Sequence, residues 1–319
     1  MHEFELINNY FSGISKKNKA ALNLNDDVFY DKKKGLIVSV DTYNIGTHFI
    51  DFTKPDLVIK KIIRSSISDL ICKGVEPKYY FIAGSGNKKN FTKSNLKKIS
   101  KSLKEEQKKY NLSLGGGDTV FSNKLSFTIT SIGFSNKIIY RNQCTVNDDI
   151  YVTGNLGDSF VGLQILRNKI KLNKHKSKYF INKYYMPDIQ NKLTKKLFSF
   201  ATSSMDISDG LIVDLNKLIN KQDVSFKIYE KLIPVSRNLA YLINDKNYKK
   251  IDLVSNGDDY QILFTARPNN ARIINNLSKS LGVKISKIGS ILSGKNMSLI
   301  FNQKGKEIAN NTRGYIHQF

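Results

Sequence analysis

The chain has 319 residues, which fits two domains of about 150 residues each, and its mixture of 40% hydrophobic and 24% charged residues excludes disorder throughout. No apolar run reaches the roughly 18 residues that cross a bilayer, residues 1–5 do not resemble a secretory signal, and two cysteines are too few for a disulfide framework, so we expect a cytoplasmic protein without a membrane partner. The net charge of +24 invites a nucleic-acid partner, but only seven of the 51 cations are arginines, so this partner is not expected.

Strands and helices alternate in the first half of the chain, where apolar spacing separates one from the other. The helix that begins at Pro55 has apolar residues at helical intervals, and Gly74 suits its end. The predicted elements are a strand at 35–40 that ends at Asp41, a helix at 55–72, a basic helix at 93–110, a strand at 111–114 that runs into Gly115–Gly117, and a strand at 125–134.

A second unit begins near residues 142–150, so we divide the chain into a domain at 1–146 and a domain at 147–319. The alternation of strands and helices continues, and the fold class is therefore α/β or α+β. The predicted elements are a strand at 150–154, a helix that opens at 157–159, a helical segment at 191–201, a strand or turn at 203–210, a helix at 211–220, strands at 251–254 and 260–265, and a helix at 269–281.

Six short motifs contain aspartate beside glycine or at the end of an apolar strand. Strand ends in α/β sheets converge on one crevice, and carboxylates gathered there repel one another unless a cation joins them. Oxygen ligands favour Mg²⁺, which commonly holds a polyphosphate, although each motif taken singly also suits a turn or a helix cap. The motifs are Asn25-Asp26-Asp27, Val38-Ser39-Val40-Asp41-Thr42, Ser68-Asp69-Leu70, Gly117-Asp118-Thr119, Met205–Gly210 and Gly257–Tyr260.

Standard nucleotide-binding and kinase signatures do not occur in this sequence. The nearest imitation of a phosphate-binding loop, Gly84–Lys89, lacks the required spacing. A phosphotransferase with this sequence would therefore need metals and backbone groups to bind the phosphates, which a lysine of the phosphate-binding loop does in other nucleotide-binding proteins.

The order of the motifs resembles the thiamine-monophosphate kinase family, which belongs to the aminoimidazole-ribonucleotide-synthetase-like superfamily. The resemblance covers nearly the whole chain, which makes it far more specific than any single motif. The matching stretches are Glu3–Ile7 with Tyr10-Phe11, Asp26-Asp27, VSVDT at 38–42, Gly46–Phe49, SDL at 68–70, Gly74 with Glu76-Pro77, GGDT at 116–119, Arg141-Asn142, YVTG at 151–154, Gly157–Ser159, MDISDGL at 205–211, GDDYQILFT at 257–265, and Gly314-Tyr315.

This resemblance implies two α/β domains, with an N-terminal sheet that pairs with its twin in a homodimer. It implies direct in-line transfer of the ATP γ-phosphoryl onto thiamine monophosphate, which gives thiamine diphosphate. The attacking atom is already a phosphate oxygen, so several Mg²⁺ ions that neutralise two polyanions make a general base dispensable.

The resemblance also implies roles for individual residues. An aromatic side chain in the substrate group could stack on the flat thiamine ring, and a carboxylate could meet its cationic or amino groups. The implied metal ligands are Asp27, Ser39, Val40 through its carbonyl, Asp41, Asp69, Asp118, Asp206 and Asp209; the ATP contacts are Gly117, Asp118, Arg141 and Ser208; and the substrate contacts are His48, Asp258 and Tyr315.

Two alternatives stay open at this point. One is another enzyme of the superfamily, although a selenophosphate synthetase would want a reactive Cys in an N-terminal glycine loop and a hydrogenase-maturation dehydratase would want a C-terminal Cys. The other is a basic nucleic-acid-binding protein. The sequence also departs from the family pattern at Asn25, Val40 and Asn256.

Overall fold

The computed structural model describes residues 3–309 and 314–315. The chain begins with two short helices, α1 (Glu3–Leu6) and α2 (Ser12–Ser15), which are joined by a single π turn at Ile7–Phe11. A 3₁₀ segment at Lys19–Leu24 then leads into the first strand.

The first half of the chain forms a five-stranded sheet. Its spatial order is β1-β2-β5-β3-β4, and every pair is antiparallel except β3 with β4, which is parallel. The strands are β1 (Phe29–Asp31), β2 (Leu36–Asn44), β3 (Pro77–Gly86), β4 (Ser113–Phe121) and β5 (Ser126–Phe134).

Two long helices accompany this sheet. Helix α3 (Pro55–Cys72) begins with Pro55 in its first turn and packs on β2 and β5. Helix α4 (Lys93–Tyr110) packs on α3; its N-cap Thr92 accepts a hydrogen bond from the N–H of Asn95. α3 covers one face of the sheet, and alternate residues of β5 are therefore buried.

The second half forms a seven-stranded sheet with the order β12-β11-β8-β10-β6-β9-β7, in which only β11 and β8 run parallel. β6 is buried along its whole length, as a central strand should be. The strands are β6 (Asp149–Thr153), β7 (Ala201–Asp206), β8 (Val224–Tyr229), β9 (Ile262–Ala266), β10 (Ile285–Ser293), β11 (Leu299–Phe301) and β12 (Glu307–Ile308).

Helices of the second half pack around this sheet. The pair α5 and α6 also reaches the first half, because α6 contacts α3. The helices are α5 (Asp158–Leu166), α6 (Lys174–Tyr185), α7 (Leu211–Ile219), α8 (Arg237–Asp245), α9 (Lys250–Val254) and α10 (Ala271–Leu281), with 3₁₀ segments at Asn191–Ser199, Glu230–Leu232 and Pro268–Asn270. No helix in residues 3–309 is long and apolar enough to cross a membrane.

The two halves share buried apolar side chains. One cluster joins Tyr43 and Ile59 of the first half to Tyr184 and Phe264 of the second. A separate cluster lies between the seven-stranded sheet and α7. Apolar packing is thus continuous between the two halves. The predicted division into two domains at residue 146 stays a prediction.

The predicted fold class is confirmed, since helices accompany two sheets. One predicted strand is wrong: residues 251–254 lie in α9, and so short an apolar run cannot distinguish a strand from a buried helical turn. Two motifs also differ locally from the prediction. β2 continues to Asn44, so Asp41 lies inside the strand. β4 continues through its glycines with a bulge at Gly115, where a Cβ would lie 2.7 Å from the Phe81 ring.

Candidate active site

A cleft of about 800 Å³ lies between the two sheets and receives residues from both halves of the chain. It opens beside β2, the end of α3 and the loops that follow β7 and α9. Most of the residues singled out by the sequence line this one cleft: Asp27, Val40, Asp41, His48, Asp69, Arg141, Asp206, Ser208, Asp209, Asp258 and Tyr315.

Three carboxylates, Asp41, Asp69 and Asp206, form the centre of the cleft. Each accepts a hydrogen bond from a hydroxyl: Asp41 from Tyr43 at 3.1 Å, Asp69 from Ser39, and Asp206 from Ser68 at 2.5 Å. Ser39 is buried behind the cleft, so its contact with Asp69 holds that carboxylate in place.

The electrostatics of these three groups are unfavourable without a cation. Burial raises the pKa of Asp41 and that of Asp206 to about 6, and burial together with the charges of Asp41 and Asp206 raises the pKa of Asp69 well above its usual value. Carboxylates with raised pKa values in a cleft are typical of a functional site.

Basic side chains already neutralise the carboxylates at one rim of the cleft. The fully buried Lys73 lies 2.6 Å from Asp26 and 2.8 Å from Asp27, and it also donates to the carbonyl of Ser204 at 2.8 Å. Arg141 donates from Nε to Asp27 at 3.1 Å. Lys217 forms an ion pair with Asp209. These contacts leave Asp41, Asp69 and Asp206 as the carboxylates held by hydroxyl groups.

The oxygen donors of the cleft fit Mg²⁺. Oxygen atoms of Asp27 and Asp206 and the Sγ atom of Cys72 all lie within 4.8 Å of one another. Burial raises the pKa of the Cys72 thiol well above its usual value, which disfavours the thiolate, and Cys72 does not line the cleft; the aspartate oxygens are therefore the better-suited ligands. A set of hard oxygen donors with unfavourable mutual repulsion is suited to a hard divalent cation.

Two loops at the mouth of the cleft are joined backbone to backbone. The N–H of Asp258 donates to the carbonyl of Ser208 at 2.8 Å, and the N–H of Tyr260 donates to that of Ile207 at 2.8 Å. A Cβ on Gly257 would lie 1.9 Å from the Ser208 carbonyl oxygen. Glycine is therefore required where the Met205–Gly210 and Gly257–Tyr260 motifs meet.

The three predicted substrate residues lie around the same opening. The ring of His48 meets that of Tyr43 edge-on, with centroids 5.7 Å apart, and its Nδ1 accepts the N–H of Asn44 at 3.0 Å. The N–H of Tyr315 donates to the carbonyl of Asp209 at 3.0 Å, which brings this distant residue to the cleft with its ring half exposed.

Gly117 and Asp118 do not line the cleft in the single chain. Both are exposed on β4, an edge strand. The pairing registers place Asp118 beside Ala83, Ala83 beside Thr128, and Thr128 beside Thr42. Asp118 is thus three strand spacings from β2, roughly 14 Å at about 4.8 Å per strand.

Sequence reasoning missed three lysines that pair with carboxylates of the cleft, at positions 61, 73 and 217. Each pairs with an aspartate of a recognised motif, namely Asp258, Asp26 with Asp27, and Asp209. Nothing marks Lys73 or Lys217 in a chain so rich in lysine. An apolar helical face interrupted by Lys61 was the one available signal.

Comparisons with known proteins agree with this geometry. Residues 17–135 match the family described as AIR synthase related protein, N-terminal domain. The thiamine-monophosphate kinase of Buchnera aphidicola subsp. Acyrthosiphon pisum is 32% identical, over 95% of this chain and 97% of the relative. The chain belongs to the thiamine-monophosphate kinase family.

Other members support the assignment along the full length. The thiamine-monophosphate kinase of Escherichia coli K12 is 30% identical over 99% of this chain and 98% of the relative. The solved structure of AaThiL complexed with AMPPCP and TMP has a TM-score of 0.84 at 26% identity and covers 99% of this chain and 97% of that chain. The predicted family and enzyme class are thereby confirmed, in preference to the two alternatives.

Proposed function

We propose that this chain transfers the γ-phosphoryl group of ATP directly, in line, onto the phosphate of thiamine monophosphate, which gives thiamine diphosphate and ADP. The observation that carries the proposal is the carboxylate centre of Asp41, Asp69 and Asp206 in a cleft shared by both sheets. Support comes from a relative of the same fold that is complexed with AMPPCP, an ATP analogue, and TMP.

The mechanism follows from the charges that must meet. Two polyanions have to approach in line, and the attacking phosphate oxygen needs no base at neutral pH. Bound Mg²⁺ would supply Lewis-acid neutralisation of the transferring phosphoryl group. We assign its ligands to Asp41, Asp69 and Asp206, with Asp27, Asp209 and the Val40 carbonyl in support. Ser39 would assist through Asp69, whose carboxylate its hydroxyl holds.

The remaining cleft residues would orient the two substrates. We assign Arg141 and Ser208 to ATP, because both line the cleft beside the carboxylate centre. We assign His48, Asp258 and Tyr315 to the thiamine moiety. The half-exposed Tyr315 ring offers a face for stacking on a flat cationic heterocycle.

We further propose a homodimer in which Gly117 and Asp118 of the partner subunit complete the site. The face of the five-stranded sheet opposite α3 exposes large apolar side chains, among them Val40, Phe81 and Val120. Apolar side chains exposed side by side on one face are typical of an association surface. Packing of two such faces would bring Asp118 of the partner subunit toward the exposed side of β2.

We also place the enzyme in the cytoplasm. Both cysteines, Cys72 and Cys144, are buried and free. Free thiols in this number suit a reducing compartment.

A direct assay tests the proposed function. Purified protein is incubated with ATP, MgCl₂ and thiamine monophosphate, and the thiamine species are separated by chromatography. We expect thiamine diphosphate and ADP in equal amounts, whereas thiamine, whose acceptor is an alcohol, should react poorly. Absence of thiamine diphosphate, or salt-sensitive binding of DNA or RNA without turnover, would overturn the proposal.

A further inference from the structure

Lys61 is a fully buried lysine in the middle of α3. Its ammonium group donates to Oδ1 of Asp258 at 2.6 Å and to the carbonyl of Tyr184 at 3.3 Å. It also lies 3.8 Å from the centroid of the Tyr184 ring. Burial lowers the pKa of Lys61, and the charge of Asp258 opposes this shift. A buried ammonium group requires such partners, so the contact fixes both side chains.

Asp258 is held in an unusual backbone conformation. Its φ is +70°, and that of Tyr260 is +49°, a value that is rare for a bulky residue. Such conformations persist only where neighbouring contacts impose them, and they concentrate at ligand-binding sites. Here the contacts are the two backbone hydrogen bonds to the Met205–Gly210 loop and the ion pair with Lys61.

The two oxygens of Asp258 have different surroundings. Oδ1 accepts from Lys61 and also from the Tyr260 hydroxyl, at 3.2 Å. Within the described part of the chain, Oδ2 accepts no hydrogen bond. Because Asp258 lines the cleft and its side chain is 23% exposed, Oδ2 is the oxygen that a ligand can reach.

Tyr184 joins this arrangement to the other predicted substrate residue. Its hydroxyl donates to the carbonyl of His48 at 3.0 Å, while its ring and its own carbonyl contact Lys61. Lys61 and Tyr184 thus form one rigid connection between the two residues assigned to the thiamine moiety.

We propose that Lys61 is a positioning residue for substrate recognition, which holds Oδ1 of Asp258 so that Oδ2 faces the amino or cationic group of the bound heterocycle. The inference rests on the proposed function for the identity of that ligand. It predicts that loss of Lys61 weakens recognition of the heterocycle while the ATP side of the cleft keeps its affinity, because the side chain of Lys61 contacts Asp258 and Tyr184, and Ser208 meets this network only through its backbone carbonyl.

The test compares Lys61→Met with Lys60→Met. Lys60 is the adjacent residue on α3, pairs with Glu105 at 2.6 Å and lies outside the cleft. Binding of thiamine monophosphate is measured by calorimetry without ATP, and KM is measured for each substrate in turn. For Lys61→Met we expect about a 10-fold weaker Kd and a similar rise in KM for thiamine monophosphate, with KM for ATP within about twofold. Lys60→Met should match the wild type.

A double variant separates positioning from a general effect on the fold. Asp258→Asn should weaken the binding of thiamine monophosphate about as much as Lys61→Met does. The double variant should bind it no more weakly than either single variant, since both changes disable the same interaction. If Lys61→Met does not fold, Tyr260→Phe removes only the second bond to Oδ1 and should raise the same Kd by roughly threefold.

Three results would overturn the inference: unchanged thiamine monophosphate binding in Lys61→Met, equal rises in both KM values, or additive effects in the double variant. Failure of the proposed function has a different signature. In that case the wild type would form no thiamine diphosphate, and the calorimetric series would still show whether Lys61 governs binding of this probe.

Discussion

Asp41 shows how a single residue can serve catalysis at the expense of stability. Its carboxylate is close to those of Asp69 and Asp206, and burial disfavours its charge. We expect Asp41→Asn to lose at least about 100-fold in kcat, because it removes charge that would hold the metal and neutralise the phosphoryl group. In EDTA its melting temperature should equal or exceed that of the wild type. Asp245→Asn, at an exposed helix end, is the matched control.

The same residue gives a pH dependence with a definite sign. The folded-state pKa of Asp41 is about 6, above its ordinary value. The contribution of Asp41 to the free energy of unfolding is therefore present at low pH and is lost as the pH rises through 6. The melting-temperature advantage of Asp41→Asn without metal should therefore grow between pH 4 and pH 7.5. A large loss of metal-free stability at every pH would instead mean that Asp41 is a structural residue.

Replacement of Lys73 should have the opposite effect on the stability of the metal-free protein. It is fully buried and compensates the charges of Asp26 and Asp27. Its replacement in Lys73→Met leaves two buried carboxylates with less compensation, which should destabilise the metal-free protein by about 3–5 kcal/mol. Thermal unfolding in EDTA measures this loss, and added Mg²⁺ should restore part of it. Equal stability of Lys73→Met and wild type in EDTA would show that the ion pairs do not matter.

At the level of elements, the sequence predicted helices and strands well wherever an apolar pattern repeats over many residues. Helices α3, α4 and α10 and strands β5 and β6 lie close to their predicted positions, because many residues repeat one pattern. Short or glycine-rich segments were not predictable in this way. α9 has only five residues, and the glycines of β4 are required by tertiary contacts, since a Cβ on Gly115 would meet the Phe81 ring and one on Gly117 the Ile82 carbonyl. Lys61 and Lys73 were missed because their partners are distant in sequence. Lys217 has partners nearby, Asp209 and Asp214, but it is one of many lysines and belongs to no motif.

The junction between the two glycine loops gives a prediction at this scale. Gly257→Ala would place a methyl group 1.9 Å from the Ser208 carbonyl oxygen, so the loops must separate. We expect a stability loss of about 1–3 kcal/mol and a fall in kcat/KM of at least about 10-fold, since Ser208 and Asp258 lose their relative positions. Gly13→Ala, where the new methyl meets nothing within 4 Å, should change neither quantity.

For the whole molecule, the prediction concerns the site completed across a dimer. Asp118 lies three strands away from Asp41 within one chain, yet the family resemblance assigns both to metal. Inactive Asp41→Asn and Asp118→Asn proteins, mixed and allowed to exchange subunits, should recover about one quarter of wild-type activity, because half the dimers are mixed and each has one intact site. No recovery despite proven exchange would place Asp118 outside the partner's site.

The dimer itself can be tested on the same sheet face. Phe81→Glu introduces charge into the exposed apolar surface and should shift the protein from dimer to monomer in light scattering, with loss of activity. Met297→Glu, at another exposed apolar position on the second half, should leave the assembly unchanged.

The central claim is that the carboxylate centre acts through bound divalent metal, and metal-dependent turnover tests it most directly. Enzyme freed of metal with EDTA is given ATP and thiamine monophosphate, and thiamine diphosphate is measured as MgCl₂ is added. The account predicts no turnover in metal-free buffer and full recovery with Mg²⁺. Full turnover without any divalent metal would contradict it.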